Sequence, residues 1–547
     1  MRVTKGARIT AGTALLALGL AACGGQTSAG GGTASADQPV RMELGEPQKL
    51  FYPGDTTESE GSEVLAAIFA PLVSYDENKQ VVNDVAESIK TTDNKVWTIK
   101  LKPGYTWHNK EPLIAQNYVD AWNYSADQDN AQGANGFFSR VEGWADLNPG
   151  EGKTVSAKGM KGLRVIGDAA TSRTFQITLT KPFSQFKTML GYTSFYPLPK
   201  AAFDDAGKVT EAYAKQPIGQ GYFKFDKPYN KGTDQTIDLT RYDAFPGDKP
   251  KFDKLQFKLY ASSETAFNDL RAGNLDIHDS LPPSAIASAK AELGERYMDE
   301  ADAGVGYIGF PMQYNKTYEN VKVREAISMA IDRKTIAETV FSGTRAPADD
   351  FINPLLDGYR PGACAVCTYD PAKAKSQYAE NNGPKTLELG YNSDGPHKEW
   401  IEAVANNLRA NLGVQVTVKP FEKFASILDE LDKKTYGGMF RMGWAIDYPS
   451  AENYLTPVFS TVAIKTGSNY AGWSNKEFDD LLAKGDSAAS QTQGLKYYQQ
   501  ADDILIKELP YIPVYFYRTN VAFSQHVKGI KLNLLNQVEW TQVEKVA

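Results

Sequence analysis

Between residues 387 and 418 the apolar residues change period twice, and that pattern restricts the fold more than any other stretch. Leu387, Leu389 and Tyr391 alternate as in a strand. Trp400, Ile401, Val404, Leu408 and Leu412 then fall on one face of a helix that Gly413 ends, and Val414, Val416 and Val418 alternate again. A β-α-β unit of this kind requires parallel strands and a right-handed crossover. The chain is therefore expected to be α/β, with ligands taken at the carboxyl ends of strands in an open sheet. At 547 residues it exceeds what one hydrophobic core supports, so two or three lobes are expected.

The amino terminus reads as an address. Arg2, Lys5 and Arg8 precede an apolar run from Ile9 to Gly19 that is too short to span a bilayer stably, and Leu20-Ala21-Ala22-Cys23 follows. Those four residues resemble a bacterial lipobox. The resemblance implies cleavage after residue 22 and a lipid on Cys23, which would anchor the protein to the outer face of the cell membrane. Removing Arg2, Lys5 and Arg8 takes the formal charge from −7 to −10, which argues against nucleic acid as a partner. Residues 24–37 are a Gly/Ser/Thr/Ala run expected to act as a tether.

Two further cysteines, Cys364 and Cys367, lie in Gly-Ala-Cys-Ala-Val-Cys. Outside the cytoplasm a local disulfide is expected. Zinc would need two more ligands, and His108, His278, His397 and His526 are scattered; a redox pair normally opens a helix, whereas this one sits among Pro361, Gly362 and Thr368. No metal or other cofactor is expected from these patterns.

Strands are predicted at Trp97–Leu101, at 237–239, at 255–259 and at 512–517, from alternation bounded by turn residues. Helices are predicted where Val64, Leu65, Ile68 and Leu72, then Val323, Ala326, Ile327, Ala330 and Ile331, repeat at three and four. Asp332 is placed to cap the helix that follows. Helices are also expected around Leu481 and from Leu495 to Leu505.

The stretch Arg441 to Tyr454 reads as a ligand grip. Asp447 stands between Trp444 and Tyr448, and a carboxylate shielded from water favours an ammonium partner. The backbone of Gly443 and Ala445 could pair with an extended peptide, because main-chain hydrogen bonds give affinity without side-chain choice. The same stretch also fits a strand end followed by a helix-capping Asp.

Five stretches, taken in order, resemble the family 5 solute-binding proteins of ABC importers. They are Trp97 to Trp122, the turn Pro217 to Phe223 with Gln220 where Thr is usual, Leu270 to Ile277, Val321 to Arg333, and Gly443 to Tyr448. The resemblance implies a periplasmic-binding-protein-like type II (cluster C) fold, a two-domain clamp of three lobes with mixed sheets flanked by helices and the ligand enclosed in the interlobe cleft. Lobe I would comprise residues 41–69, 197–304 and 518–547, lobe II residues 70–196, and lobe III residues 305–517, after a signal peptide at 1–22 and a tether at 23–40. It further implies that Asp447 pairs with a peptide's α-ammonium and that Gly443, Trp444 and Ala445 form the strand beside the peptide. By the same resemblance Arg441 would meet a ligand carboxylate, Tyr448 and Tyr517 would line the pocket, and Thr57, Glu58 and Ser59 would form the opposing loop. Where some relatives link hinge and grip by a disulfide, Val305 and Ala445 stand here.

The implied function is capture of oligopeptides by a monomeric lipoprotein that closes on its ligand and docks on the transmembrane permease subunits with their ATPases. The same fold could take an oligosaccharide, a metal chelate or haem. An exported hydrolase is disfavoured, since the chain has no Gly-x-Ser-x-Gly and no His-Glu-x-x-His.

Overall fold

The computed structural model describes residues 38–76, 78–393 and 395–546. The expected signal peptide, Cys23 and most of the tether lie outside the described residues. Among the described residues no helix is long and apolar enough to cross a membrane.

The predicted β-α-β unit is present. Thr386–Asn392 and Gln415–Phe421 are parallel neighbours, with Leu387 opposite Val416 and Leu389 opposite Val418, and Lys398–Leu412 is the helix between them. Its apolar face, Trp400, Ile401, Val404, Leu408 and Leu412, is buried, and Gly413 ends it at φ 70°, a left-handed conformation that a residue with a Cβ adopts only at a cost. The two strands form one edge of an eleven-stranded mixed sheet. Inward from that edge come Met439–Trp444, Tyr297–Gly309, Tyr511–Phe523, Ile277–His278, Val40–Leu44, Lys254–Leu259, Thr236–Arg241 and Phe223–Phe225; Arg345–Pro347 pairs separately with Tyr511–Phe523. A second sheet of four strands is ordered Ala86–Lys90, Val96–Leu101, Thr174–Thr178, Leu163–Val165.

Two large cores divide these elements. One contains Trp107, Trp122, Phe175 and Phe257 and is built from both sheets. The other contains Trp400, Leu389, Phe440 and Tyr511 and is confined to residues 305–516. The strands Tyr297–Gly309 and Tyr511–Phe523 are antiparallel partners of 13 residues each, and they run from one core into the other. Their register breaks at the junction: Ala301 pairs with Arg518 and Val305 with Phe516, so Asp302, Ala303 and Gly304 oppose Tyr517 alone. Asn353 Nδ2 donates to the carbonyls of Asp302 and Gly304, both at 2.9 Å, which satisfies groups the break takes out of the ladder.

Two polar devices lock the loops around this frame. Asp276 receives Arg41 Nε and Nη2 in a bidentate pair at 2.9 Å, together with the Arg41 backbone N–H and the Ser524 hydroxyl, which joins Val40–Leu44 to the strand beside it. Gln220 imitates a peptide group: its Oε1 accepts from the Ala70 N–H at 3.1 Å and its Nε2 donates to the Ala70 carbonyl at 2.8 Å. The helix Ser59–Ile68 ends just before that clasp, and Glu58 caps its start by accepting from the Gly61 N–H at 2.6 Å. Leu72, predicted within this helix, lies beyond its end, where the chain turns into Val73–Tyr75.

Away from the long strands the two bodies meet at Arg140. Its guanidinium lies over the Phe183 ring and bonds Glu452 at 2.7 Å and Asp486 at 2.8 Å. Ser184 N–H donates to the Asp486 carbonyl at 2.7 Å beside it. Glu452 is 2% exposed, so an Arg140→Ala variant would leave a buried carboxylate without its cation. The expected loss is about 3 kcal/mol of unfolding free energy; urea titration followed by tryptophan fluorescence measures it.

Candidate functional site

A cleft of about 560 Å³ lies between the two bodies. Thr57, Glu58 and Ser59, from the loop that starts the helix Ser59–Ile68, form one wall; Ala445, Ile446 and Asp447 face them from the other body. Tyr192 and Thr193 close one side, and residues 534–537 close another. Among the described residues, seven that line it carry carboxyl groups and none is Lys or Arg. Nearby anions with little solvent between them favour a ligand that carries positive charge.

Asp447 is the most constrained of these acids. Asn453 clasps it twice, its Oδ1 accepting from the Asp447 N–H at 2.7 Å and its Nδ2 donating to Asp447 Oδ2 at 3.0 Å. Tyr192 lines the cleft near the same carboxylate, and its hydroxyl favours the ionised form. Burial raises the carboxyl's pKa to about 6 against the pull of these two donors, and the nearby Glu452 adds to the rise. A carboxylate so placed has lone pairs to spare and a shortage of hydration. The helix after it, Glu452–Phe459, takes Ala451 and not Asp447 at its N-cap position, so a capping role does not account for Asp447.

Strand Met439–Trp444 brings the grip to the cleft. On one side it pairs fully with the long strand, with Gly443 opposite Gly306 and Trp444 opposite Val305. On the other it pairs with Thr386–Asn392 only at Leu389–Met439 and Gly390–Phe440. Among the described residues, the backbone from Arg441 to Trp444 has no ladder partner on that second side. An open edge of this kind accepts an extended chain as an added strand. The Val305–Trp444 register also shows that the long strand and the grip are joined by a ladder at the place where Val305 and Ala445 stand in the sequence.

Arg441, Gly443 and Tyr517 form a second group beside the edge. The Arg441 guanidinium is buried; Nη1 donates to Asn392 Oδ1 at 3.1 Å, Nη2 to the Tyr517 hydroxyl at 3.4 Å, and Nε has no hydrogen-bond partner among the described residues. A Cβ on residue 443 would stand 3.2 Å from the Tyr517 hydroxyl and 3.3 Å from the Val305 carbonyl, so glycine permits this close approach.

The predicted aromatics divide. Tyr448 turns away from the cleft: it is buried in the first core, its hydroxyl donating to Glu452 Oε2 at 2.5 Å, so it does not line the ligand wall. Trp444 is half-buried against the second core, and its Nε1 has no hydrogen-bond partner among the described residues. Tyr517 is half-buried, with Arg345 over its ring at 4.4 Å. Tyr192, Glu43 and Asp279 also line the cleft and were not singled out from the sequence, where nothing local marks them. Cys364 and Cys367 lie in the second core, with Cα atoms 5.3 Å apart.

The sequence matches the family described as "Bacterial extracellular solute-binding proteins, family 5 Middle" over residues 80–466. The oligopeptide-binding protein OppA of Bacillus subtilis is 25% identical over 538 residues, covering 94% of this chain and 95% of the relative. The periplasmic oligopeptide-binding protein OppA of Salmonella typhimurium is 27% identical over 532 residues, 94% of each chain. Among solved structures, Haemophilus influenzae OppA in complex with RPPGFSPFR superposes with a TM-score of 0.72 at 23% identity, covering 93% of this chain and 99% of that one. The match over residues 80–466, most of the chain's length, establishes that this chain belongs to the family 5 bacterial extracellular solute-binding proteins.

Proposed function

We propose that this protein captures peptides with a free amino terminus and delivers them to an ABC permease, without catalysing any reaction. The observation that carries the reading is the desolvated Asp447 carboxylate, held at the cleft wall beside an open strand edge. The ammonium of a peptide would pair with Asp447, its backbone would add to the edge of residues 441–445, and Arg441 would receive a ligand carboxylate. The acidic wall opposes anionic ligands such as haem. Among the described residues Tyr192 is the one aromatic in the lining, which offers a sugar little to stack on.

The two bodies would close about the register break at residues 302–304 and Tyr517, with lobe III spanning 305–517, lobe I assembled from 41–69, 197–304 and 518–547, and lobe II at 70–196. A monomer closed on its ligand would then dock on the permease, since a ligand shifts this equilibrium only by binding the closed form better. Export through residues 1–22, a lipid on Cys23 at the outer face of the membrane, and a disulfide between Cys364 and Cys367 complete the reading.

Calorimetry with matched peptides tests it. Peptides with a free amino terminus should bind at least tenfold more tightly than their N-acetylated forms, and Asp447→Asn should erase that difference; equal binding of both forms to the unaltered protein would sink the assignment. The pH dependence has a defined sign. Below about pH 6 the Asp447 carboxyl is neutral and cannot form the ion pair, so affinity should rise between pH 5 and pH 7 and stay flat in Asp447→Asn.

A further inference from the structure

The parallel strands Val40–Leu44 and Ile277–His278 lie side by side, with Met42 opposite Ile277, and both end at the cleft. Their carboxyl ends bring together Glu43, His278 and Asp279, whose oxygen and nitrogen ligand atoms all lie within 4.8 Å of one another. Glu43 and Asp279 line the cleft, and their carboxylate oxygens lie within that 4.8 Å of each other. Two carboxylates at that separation repel unless something positive is shared between them.

His278 supplies an independent observation. It is fully buried, and its tautomer can be read from its neighbours. Nε2 faces the Ser263 carbonyl at 3.1 Å and the Ser263 hydroxyl oxygen at 3.2 Å. That hydroxyl donates its proton to the Ser280 carbonyl at 2.6 Å, so both groups facing Nε2 are acceptors and Nε2 carries the hydrogen. In the neutral ring the lone pair then falls on Nδ1. Nδ1 has no hydrogen-bond partner among the described residues and lies 3.5 Å from Glu43 Oε2. An imidazole whose far nitrogen donates to a backbone carbonyl while the near one faces carboxylates has the orientation found in metal-ligating histidines.

We propose that Glu43, His278 and Asp279 bind a divalent first-row cation of the zinc class on the cleft wall. One imidazole and two carboxylates suit such an ion, and three protein ligands leave a coordination position open toward the cleft. The neighbouring Asp276 is excluded from the set, because Arg41 and Ser524 already occupy its oxygens. The site does not depend on what else the cleft binds.

The test uses the full-length protein, stripped with chelator, dialysed and titrated with zinc chloride in a calorimeter, with zinc-edge X-ray absorption on the loaded sample. One equivalent should bind, with a shell of one imidazole nitrogen and oxygens. Glu43→Gln and Asp279→Asn keep side-chain shape and should each weaken binding at least tenfold, in the range typical for disturbed metal sites. His278→Gln is expected to do the same where it folds, and the two carboxylate variants decide the matter where it does not. Failure to take up zinc, a shell containing sulfur, or uptake undiminished in both Glu43→Gln and Asp279→Asn would overturn the assignment.

Discussion

The antiparallel pairing of Tyr297–Gly309 with Tyr511–Phe523 is the constraint on which the rest of the structure depends. Thirteen-residue strands are long for a globular protein, and these serve two cores at once. Their amino acids reflect it: Val305, Tyr307 and Ile308 face one core, while Val521 across the break belongs to the other. Between them the ladder gives way over Asp302–Gly304, and Asn353 holds the displaced carbonyls. A second, smaller register shift follows between Gly306 and Tyr307, so both irregularities of this ladder fall at the junction of the two cores.

The cleft follows from that arrangement, because its walls come from elements that only the long strands bring face to face. One wall hangs on the capped helix Ser59–Ile68, the other on the strand paired to Val305 and Gly306. Charges are placed there at the expense of hydration. The Asp447 carboxylate keeps the Asn453 amide and Arg441 two neutral oxygens, and neither is neutralised by an opposite charge among the described residues. Structural ion pairs elsewhere are closed: Arg41 with Asp276, and Arg140 with Glu452 and Asp486. The paired charges hold the fold together, whereas Asp447 and Arg441 find no opposite charge within it among the described residues.

Much of the architecture was legible because it is written in local periodicity. The strand, helix and strand from Leu387 to Val418, the glycine stop at Gly413 and the cap at Asp332 each depend on neighbours within one or two turns. The place of Asp447 just beyond the strand that carries Gly443 and Trp444 was legible for a similar reason, since these residues are contiguous. The direction of Tyr448 was not: it is decided by Glu452 and by a core contributed by distant segments. Tyr192 stands 255 residues before Asp447, with which it lines the cleft, and Glu43 stands 235 before His278, so no window of sequence relates them. Cleft residues contributed from across the molecule become visible only once the sheet order is known.

Gln220 carries a last consequence. Because its side-chain amide takes the place of a neighbouring strand for Ala70, the protection of that amide proton from solvent exchange is governed by one rotamer and not by a cooperative ladder. A glutamate could accept from the N–H but could not donate to the carbonyl, and an asparagine would fall short by one methylene. The Ala70 peptide groups are thus clasped by one side chain between the main-chain bonds that Gly221 and Val85 make to the Ile68 and Pro71 carbonyls, and the exchange rate at Ala70 is a local gauge of that clasp.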